Sequence, residues 1–419
     1  MQLLRQAGTG KILRVRGTNS TILRKPEEAA GGDFVEIGGR LYPIVQIGRQ
    51  WWMAENLDWK WDGLKVGMTL DNYEARANYY DNDEATYGVN GNKYGLLYNW
   101  TAVNYLNNNR GALLPEEWHV SSENDWDALT NAVGGTSVAG AKLKSKTGWI
   151  SGICEDTYGF SAFPAGGYWL DAFKDVGKCA YYWTSSLNSS SYPMLRYFTA
   201  SGTSMKSSAN PRDYCYTVRL CKDATVNIGG RDYPTTRIGN QVWLAENLDW
   251  KLPGIEIGAS GNPTTPAAWY YNNAEATYGV NGKKYGLLYN WYCISIINSV
   301  LPKGWRIPNS DDYNALAEYV GGLQNAGTKL KSTSGWQPIS EFPSPNGTDD
   351  YGFKSLPSGL RIANDFKYVG NYTWYLNTTE DPTDPNKFIR ACISVNTDMS
   401  FAPLNKGYGM SLRLVKDAT

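Results

Sequence analysis

The chain repeats itself, and this constrains its folding more than any other feature. EIGGRLYPIVQIGRQWWMAENLDWK at 36–60 returns as NIGGRDYPTTRIGNQVWLAENLDWK at 227–251. YDNDEATYGVNGNKYGLLYNW at 80–100 returns as YNNAEATYGVNGKKYGLLYNW at 271–291, with 18 of 21 positions identical. LPEEWHVSSENDWDAL at 114–129 answers LPKGWRIPNSDDYNAL at 301–316, and AGAKLKSKTGW at 139–149 answers AGTKLKSTSGW at 326–336. YGFSAFPAG at 158–166 matches YGFKSLPSG at 351–359, and both copies close on one tail, VRLCKDAT at 218–225 and LRLVKDAT at 412–419. The offset stays between 187 and 194, so insertions are small and belong in loops. A period this long is not a solenoid unit; it marks two complete domains in tandem. The organisation expected is a basic N-terminal arm at 1–32, a first domain at 33–223 and a second at 224–419. The link CKDATVNIGG is so short that it implies a fixed or only modestly hinged pair.

Within a unit, the opening IGGR–YP–IG–Q–W pattern alternates apolar residues with glycine and reads as a hairpin or short meander. The N-G step of YGVNGNKYG is a turn signal. One helix stands out in each copy. Ser122, with Asp125 three residues on, forms a capping pattern, and Trp126, Leu129, Ala132 and Val133 share a face before Gly134–Gly135. The second copy starts at Ser310, with Tyr313, Leu316, Ala317 and Val320 on one face, and stops at Gly321–Gly322. RYFTASG at 196–202 and KFIRACISV at 387–395 are strand-like. The reading is an α+β unit with short strands, much irregular loop and one main helix, held by a Trp-rich core.

The 17 Trp and 30 Tyr exceed what a core of this size needs, and Tyr and Trp serve exposed recognition surfaces as well as interiors. Forty basic and 40 acidic residues cancel, which leaves no field to gather nucleic acid. No run approaches eighteen apolar residues, so no membrane-spanning helix is expected. Charges at Arg5, Lys11, Arg14 and Arg16 interrupt the start of the chain, which does not read as a secretion signal and points to folding in the cytoplasm. Six scattered cysteines are too sparse for a disulfide framework and are read as free thiols.

Ala-Glu-Asn-Leu, Tyr-Gly-x-Leu-Tyr-Asn-Trp, Leu-Pro-x-x-Trp before a helix, Lys-Leu-Lys-Ser, Tyr-Gly-Phe-x-x-x-Pro-x-Gly and the terminal Arg-Leu-x-Lys-Asp recur in order in both copies. This set resembles the Fibrobacter succinogenes major paralogous domain. The resemblance implies a relation to C-type lectin-like and sulfatase-modifying folds, hence two tandem C-type lectin-like domains with a loop-rich recognition face. It also implies surface or virion proteins of gut bacteria and their phages. Two features depart from the family. Its late Tyr-Trp-Ser/Thr-Ser strand is Tyr182-Trp183-Thr184-Ser185 in copy one but Tyr375-Leu376-Asn377-Thr378 in copy two, which suggests divergence of the binding face. A secretion signal, common in bacterial members, is not seen.

Catalysis finds little support in these residues, and no enzyme activity is expected. The single histidine, His119, answers to Arg306, so no His-dependent triad is common to both copies; it reads as a residue at the helix start. Cys215 and Cys221 evoke the cysteine site of sulfatase-modifying enzymes, but copy two has Gly409 and Val415 there. An oxidase-like enzyme would require those two thiols to sit together in a cleft. No resident metal or other cofactor is expected; a structural calcium on Asp81 and Asp83 is the one alternative kept, weakened by Asn272 and Ala274 in copy two. Glu55–Asn56 and Glu246–Asn247 recur with their neighbours and read as a buried turn that fixes the first hairpin.

Binding is expected in the late, non-matching segments, which are dense in Tyr, Ser and Asn. The candidates are Tyr181, Tyr182, Trp183, Asn188, Tyr192, Arg196 and Tyr197 in copy one, and Tyr372, Trp374, Tyr375, Asn377 and Arg390 in copy two. The arm holds Arg5, Lys11, Arg14, Arg16, Arg24 and Lys25 with no acidic residue through position 26, and alternates apolar with basic side chains as a docking strand would. Together these features point to a homo-oligomeric phage virion protein, such as a head fibre, decoration or tail-associated protein. The arm would dock on other virion proteins, and the domains would bind a host-surface glycan or protein. The alternative is a bacterial cell-surface or secreted adhesin.

Overall fold

The computed structural model describes residues 33–67, 74–88, 91 and 93–418. The basic residues of the arm, Arg5, Lys11, Arg14, Arg16, Arg24 and Lys25, lie outside the described residues.

Each domain is closed by its own two ends. In the first, Asp33–Ile37, Arg40–Ile47 and Gln50–Met53 form an antiparallel meander, and the last strand, Leu220–Asp223, returns to pair with it at Cys221 opposite Trp52. His119–Val120 adds to the far side of that returning strand. In the second, Thr225–Ile228, Arg231–Ile238 and Gln241–Leu244 repeat the meander, and Val415–Asp417 returns with Val415 opposite Trp243. The glycines and the tryptophan of the opening motif recur together for a steric reason. Gly38 and Gly229 turn at φ +59° and +62°, and a Cβ there would lie 2.0 Å from the indole nitrogen of Trp59 or Trp250.

A second sheet builds the body of domain one. It runs in order through Lys206–Ala209, Pro193–Thr199, Cys179–Leu187, Ala165–Trp169, Cys215–Tyr216, Leu97–Asn99, Arg76–Asn78 and Lys65–Val66, with Ala172–Val176 alongside Ala165–Trp169. In domain two the corresponding strands fall into smaller sheets, the largest being Tyr372–Tyr375, Lys387–Ser394 and Met399–Asn405. The strand Cys179–Leu187 lies between two cores. Trp183 packs with Tyr98, Tyr216 and Trp100 on one side, and Tyr182 with Trp52, Trp126 and Phe160 on the other. Tyr375 and Leu376 divide in the same way in domain two.

The α+β reading with one main helix per unit is overturned. Strand makes up 34% of the structure and helix 19%, and the helical part is spread over several short pieces. Domain one has Trp100–Asn108, Glu123–Ala132 and Thr136–Leu143 among its helices; domain two has Ile294–Val300, Ser310–Tyr319 and Leu323–Leu330. Two local signals account for the difference. Asn99 caps Trp100–Asn108 by accepting a hydrogen bond from the Ala102 N–H, so the Tyr-Asn-Trp motif starts a helix rather than a turn. Gly134–Gly135 and Gly321–Gly322 are hinges: after φ values of +91° to +106° the chain enters another helix instead of a loop. The strands were undercounted because many are two to five residues long and buried on both faces, which leaves no period-two pattern.

The caps also refine the second helix start. Ser122 and Asp125 form the reciprocal capping box expected for Glu123–Ala132. In copy two the cap is Asn309 with Asp312, and Ser310 is the first helical residue.

Only Ala224 separates the last strand of domain one from the first strand of domain two. Its N–H donates to Arg49 O (2.8 Å), and its carbonyl accepts from Thr235 N–H (2.7 Å). Arg237 N–H donates to Gly48 O at 2.8 Å, Gln46 Nε2 donates to Thr235 Oγ1 at 3.1 Å, and the Tyr158 and Tyr319 hydroxyls meet at 3.1 Å. The two meanders therefore meet through backbone as well as side-chain bonds.

Candidate functional site

The residues common to both copies prove to be braces. Arg219, in the terminal Val-Arg-Leu, is fully buried and donates to Asn56 Oδ1 (2.7 Å), Met53 O (2.6 Å), Phe160 O (2.7 Å) and Ser161 O (2.7 Å). Its guanidinium lies over the Phe160 ring, 4.7 Å from the centroid. Arg413 repeats this with Asn247 Oδ1, Leu244 O, Phe353 O and Lys354 O. Asn56 and Asn247 complete the clasp by donating to Tyr94 O and Tyr285 O, both at 2.8 Å. Glu55 binds Arg40 and Lys93, and Glu246 binds Arg231. The paired Glu-Asn motif thus joins the first hairpin to the last strand. Reasoning from sequence did not single out Arg219 or Arg413; a charged residue in the middle of an apolar terminal strand in both copies was the available signal.

A second brace also went unnoticed. Lys144 and Lys331, each the second lysine of Lys-Leu-Lys-Ser, are buried with their ammonium groups on backbone carbonyls. Lys144 donates to Thr199, Ala200 and Gly202, and Lys331 to Val395 and Asn396. Burial pushes the Lys331 amine down to about 8.

No nucleophile stands in an activating environment among the described cysteines and histidine. Cys215 packs with Tyr80, Leu97 and Tyr168, whereas Cys221 packs with Trp52 and Trp126, so the pair an oxidase-like site needs does not meet in one cleft. Burial raises the thiols of Cys215, Cys221, Cys293 and Cys392, the last to about 11, which disfavours the reactive thiolate. Of Asp81 and Asp83, the calcium candidates, one sits in a turn and the other caps one. Asp81 occupies a left-handed turn at φ +51° that Asn272 repeats at +53°, and Asp83 caps the turn Glu84–Tyr87 by accepting from Thr86 N–H.

Many of the expected binding residues lie in the interior. Tyr182, Trp183 and Tyr375 have no exposed surface and Trp374 is buried with them, because the strands that carry them have a core on each side; Asn377, just past the strand, is buried too. Trp183 donates from Nε1 to Tyr98 O (2.9 Å), and the divergence of Trp183 to Leu376 is therefore a change of core packing rather than of a surface. Asn377 accepts from Thr379 N–H at 2.9 Å, and Arg390 donates to Ser400. Arg196 is held by Glu123 and Asp127. Asn188 and the exposed Tyr192 sit at a loop tip, where the Asn188 side-chain Oδ1 accepts from Tyr192 N–H.

The remaining candidates fall together. At the rim of the core that holds Trp183, half-buried Tyr181 contacts Tyr197 (centroids 5.6 Å apart), Trp169 (5.7 Å) and Tyr216 (4.9 Å), and Trp169 stacks with Tyr214 at 6.1 Å. Lys174 lies over Trp169, and Lys206 over Tyr197. The corresponding strand of domain two carries Tyr372 stacked at 5.0 Å on Trp374, which is itself buried in the core, with half-exposed Tyr368 against both. Trp374 takes the place of Tyr181, Tyr372 that of Cys179 and Tyr368 that of Asp175. Both domains thus present an aromatic patch at one position in the fold, built from different residues.

A polar cleft of ≈ 240 Å³ opens where the domains meet. Arg49 of domain one reaches it beside Arg231, Asp232, Glu246, Lys284 and Lys354 of domain two. Arg231 pairs with Glu246, and among the described residues no ion pair is found for Arg49, Lys284 or Lys354. The cleft is suited to an anionic group.

Comparison with curated proteins and with solved structures returned no match. The family model described as the Fibrobacter succinogenes major domain matches residues 45–222 and again residues 236–416, most of the chain in two copies. The chain therefore belongs to the Fibrobacter succinogenes major domain family, as a tandem pair.

Proposed function

We propose that this chain is a non-catalytic display protein, carried on a phage virion, whose two domains bind a saccharide of the host surface. The observation that carries the binding reading is the recurrence of an aromatic cluster at corresponding positions of both domains: Tyr181, Tyr197 and Trp169 in one, Tyr368 and Tyr372 over buried Trp374 in the other. Ring faces held by their neighbours lose little entropy on binding and stack on the apolar face of a sugar ring. Differing residues on one scaffold suit two related but distinct ligands. The cations at the junction, Arg49, Lys284 and Lys354, favour an acidic saccharide. Burial of four thiols and the commitment of Arg219 and Arg413 to backbone carbonyls support a non-catalytic role.

Tryptophan fluorescence of the full chain, titrated with neutral and acidic host polysaccharides, tests the binding step. Tyr368→Ala and Tyr181→Ala should each weaken binding at least tenfold while leaving far-UV circular dichroism unchanged. Unaltered affinity in both variants would remove the patches from the reading. Mass spectrometry of purified virions tests the display step. Recovery of the chain from bacterial envelope fractions alone would assign it to a cell-surface adhesin instead.

A further inference from the structure

One corner of domain one differs from its counterpart in a way that neither packing nor the binding reading explains. His119 and Cys221 are directly opposite on neighbouring antiparallel strands, and Cys221 Sγ lies 3.5 Å from His119 Nε2. The same Nε2 is 3.2 Å from Asp125 Oδ2. The three donor atoms lie within 4.8 Å of one another, the one such group among the described residues. In domain two the frame is retained without the donors. Arg306 and Val415 are opposite each other, and the Arg306 guanidinium forms a bidentate ion pair with Asp312. Both departures, histidine for arginine and cysteine for valine, occur in one copy, and the two new side chains touch.

We infer that His119, Asp125 and Cys221 form a binding site for a divalent transition-metal ion of the zinc type, present in the first domain only.

Three features carry the inference. The tautomer is suitable: His119 Nδ1 is 3.1 Å from Glu117 O, and donating its proton there leaves Nε2 as the bare nitrogen facing the other two donors. The two edges at nitrogen are suitable: tetrahedral bonds of about 2.0–2.1 Å to nitrogen and oxygen and about 2.3 Å to sulfur put N and S about 3.5 Å apart and N and O about 3.3 Å apart. The carboxylate is also held from behind. Asp125 Oδ1 accepts from Gln50 Nε2 at 2.7 Å, and Oδ2 accepts from Ser122 N–H (2.7 Å) and Ser122 Oγ (2.6 Å). The mixed S, N, O set selects zinc-like ions over calcium or magnesium. Side-chain exposures of 23% for His119 and 16% for Asp125 leave a side open for a water as fourth ligand. The shared nitrogen also explains why the trio is not a Cys–His–Asp catalytic triad, in which thiol and carboxylate must address different ring nitrogens.

Cobalt(II) titration of the full chain, after removal of metal with EDTA, tests the site. The expected result is a thiolate-to-cobalt absorption band in the near ultraviolet that saturates at one ion per chain and is bleached by zinc. Cys221→Val and His119→Arg install the residues that domain two already accommodates. Cys221→Val should abolish the band, and His119→Arg should weaken cobalt binding at least a hundredfold. A chain with no such band, or one whose band survives Cys221→Val, would overturn the inference. If Cys221→Val does not fold, His119→Arg retains the thiol and decides alone.

Discussion

Arg219 and Arg413 hold the two domains together internally with the same four kinds of acceptor, whereas the corner beside Asp125 and Asp312 has been rebuilt between the copies. The difference lies in what each cation binds. Three of the four acceptors of each buried arginine are backbone carbonyls. Side chains along those carbonyls can change freely, Met53 to Leu244 and Ser161 to Lys354, while the arginine cannot. At the other corner the partner of the cation is a side chain, so both members are free to change together. One copy has a guanidinium and a valine there, and the other an imidazole and a thiol.

The largest expected effect breaks the constant half of this comparison. Arg219→Met or Arg413→Met leaves three buried carbonyls and an asparagine oxygen without donors, at about 1–3 kcal/mol for each group. That total rivals the whole stability of a domain. Hydrogen exchange on the full chain should show the mutated domain losing protection while the other keeps it. Arg219→Lys should fare little better, since one ammonium cannot span four acceptors placed for a planar fork. A loss of under 1 kcal/mol would show that water replaces the guanidinium and that the clasp is not the closing element.

The next effect sharpens the comparison within the core. Trp183 packs on Tyr216 with ring centroids 4.8 Å apart, and domain two has Leu376 and Met410 in those places. Trp183→Leu alone should cost about 2–4 kcal/mol, because a cavity remains and Tyr98 O loses its donor. Tyr216→Met alone should also be costly. The double variant should cost about 1 kcal/mol less than the sum, since the two rings contact each other. Strict additivity in urea denaturation would mean that the two positions were exchanged independently.

These cases also show how much the sequence could disclose. The tandem organisation, the capping box at Ser122 and the bracing role of Asn56 were legible because repetition and hydrogen-bonding chemistry both act at short range. The sheets were not, because strands such as Leu97–Asn99 and Cys215–Tyr216 are too short and too buried to alternate. Tyr182 and Trp183 illustrate the same limit at the candidate site. Adjacent residues on a strand normally divide between core and solvent, but here both sides are core, so aromatic density marked the interior. Tyr181 stays half-exposed at the rim of its core beside Tyr197 and Trp169, while Trp374 at the matching position is buried. The approach of His119 to Cys221 spans 102 residues, and nothing local announces it.

The smallest effect concerns a carboxylate whose surroundings differ between the copies. Asp156 receives two hydrogen bonds from Ser161, from N–H at 2.8 Å and Oγ at 2.7 Å. Among the described residues Asp349 receives the Lys354 N–H alone, because the serine is replaced, and burial pushes its carboxyl up to about 6 despite Arg49 and Arg413 nearby. An acid with a raised folded-state pKa holds its proton longer than the unfolded chain does, so stability falls as pH rises from about 4 to 6 and the penalty is complete above that. Asp349→Asn removes the ionisation, keeps an oxygen for Lys354 N–H and tolerates the left-handed φ of +49°. It should stabilise the second domain by about 1 kcal/mol at pH 7.5, after allowance for solvent screening, and by nothing at pH 4. Asp156→Asn, which loses an oxygen that accepts from Ser161 Oγ, should give no gain at either pH. If Asp349→Asn destabilises the domain at neutral pH, the charged carboxylate is itself a brace held by Arg49, and the junction between the domains is stronger than its backbone bonds alone suggest.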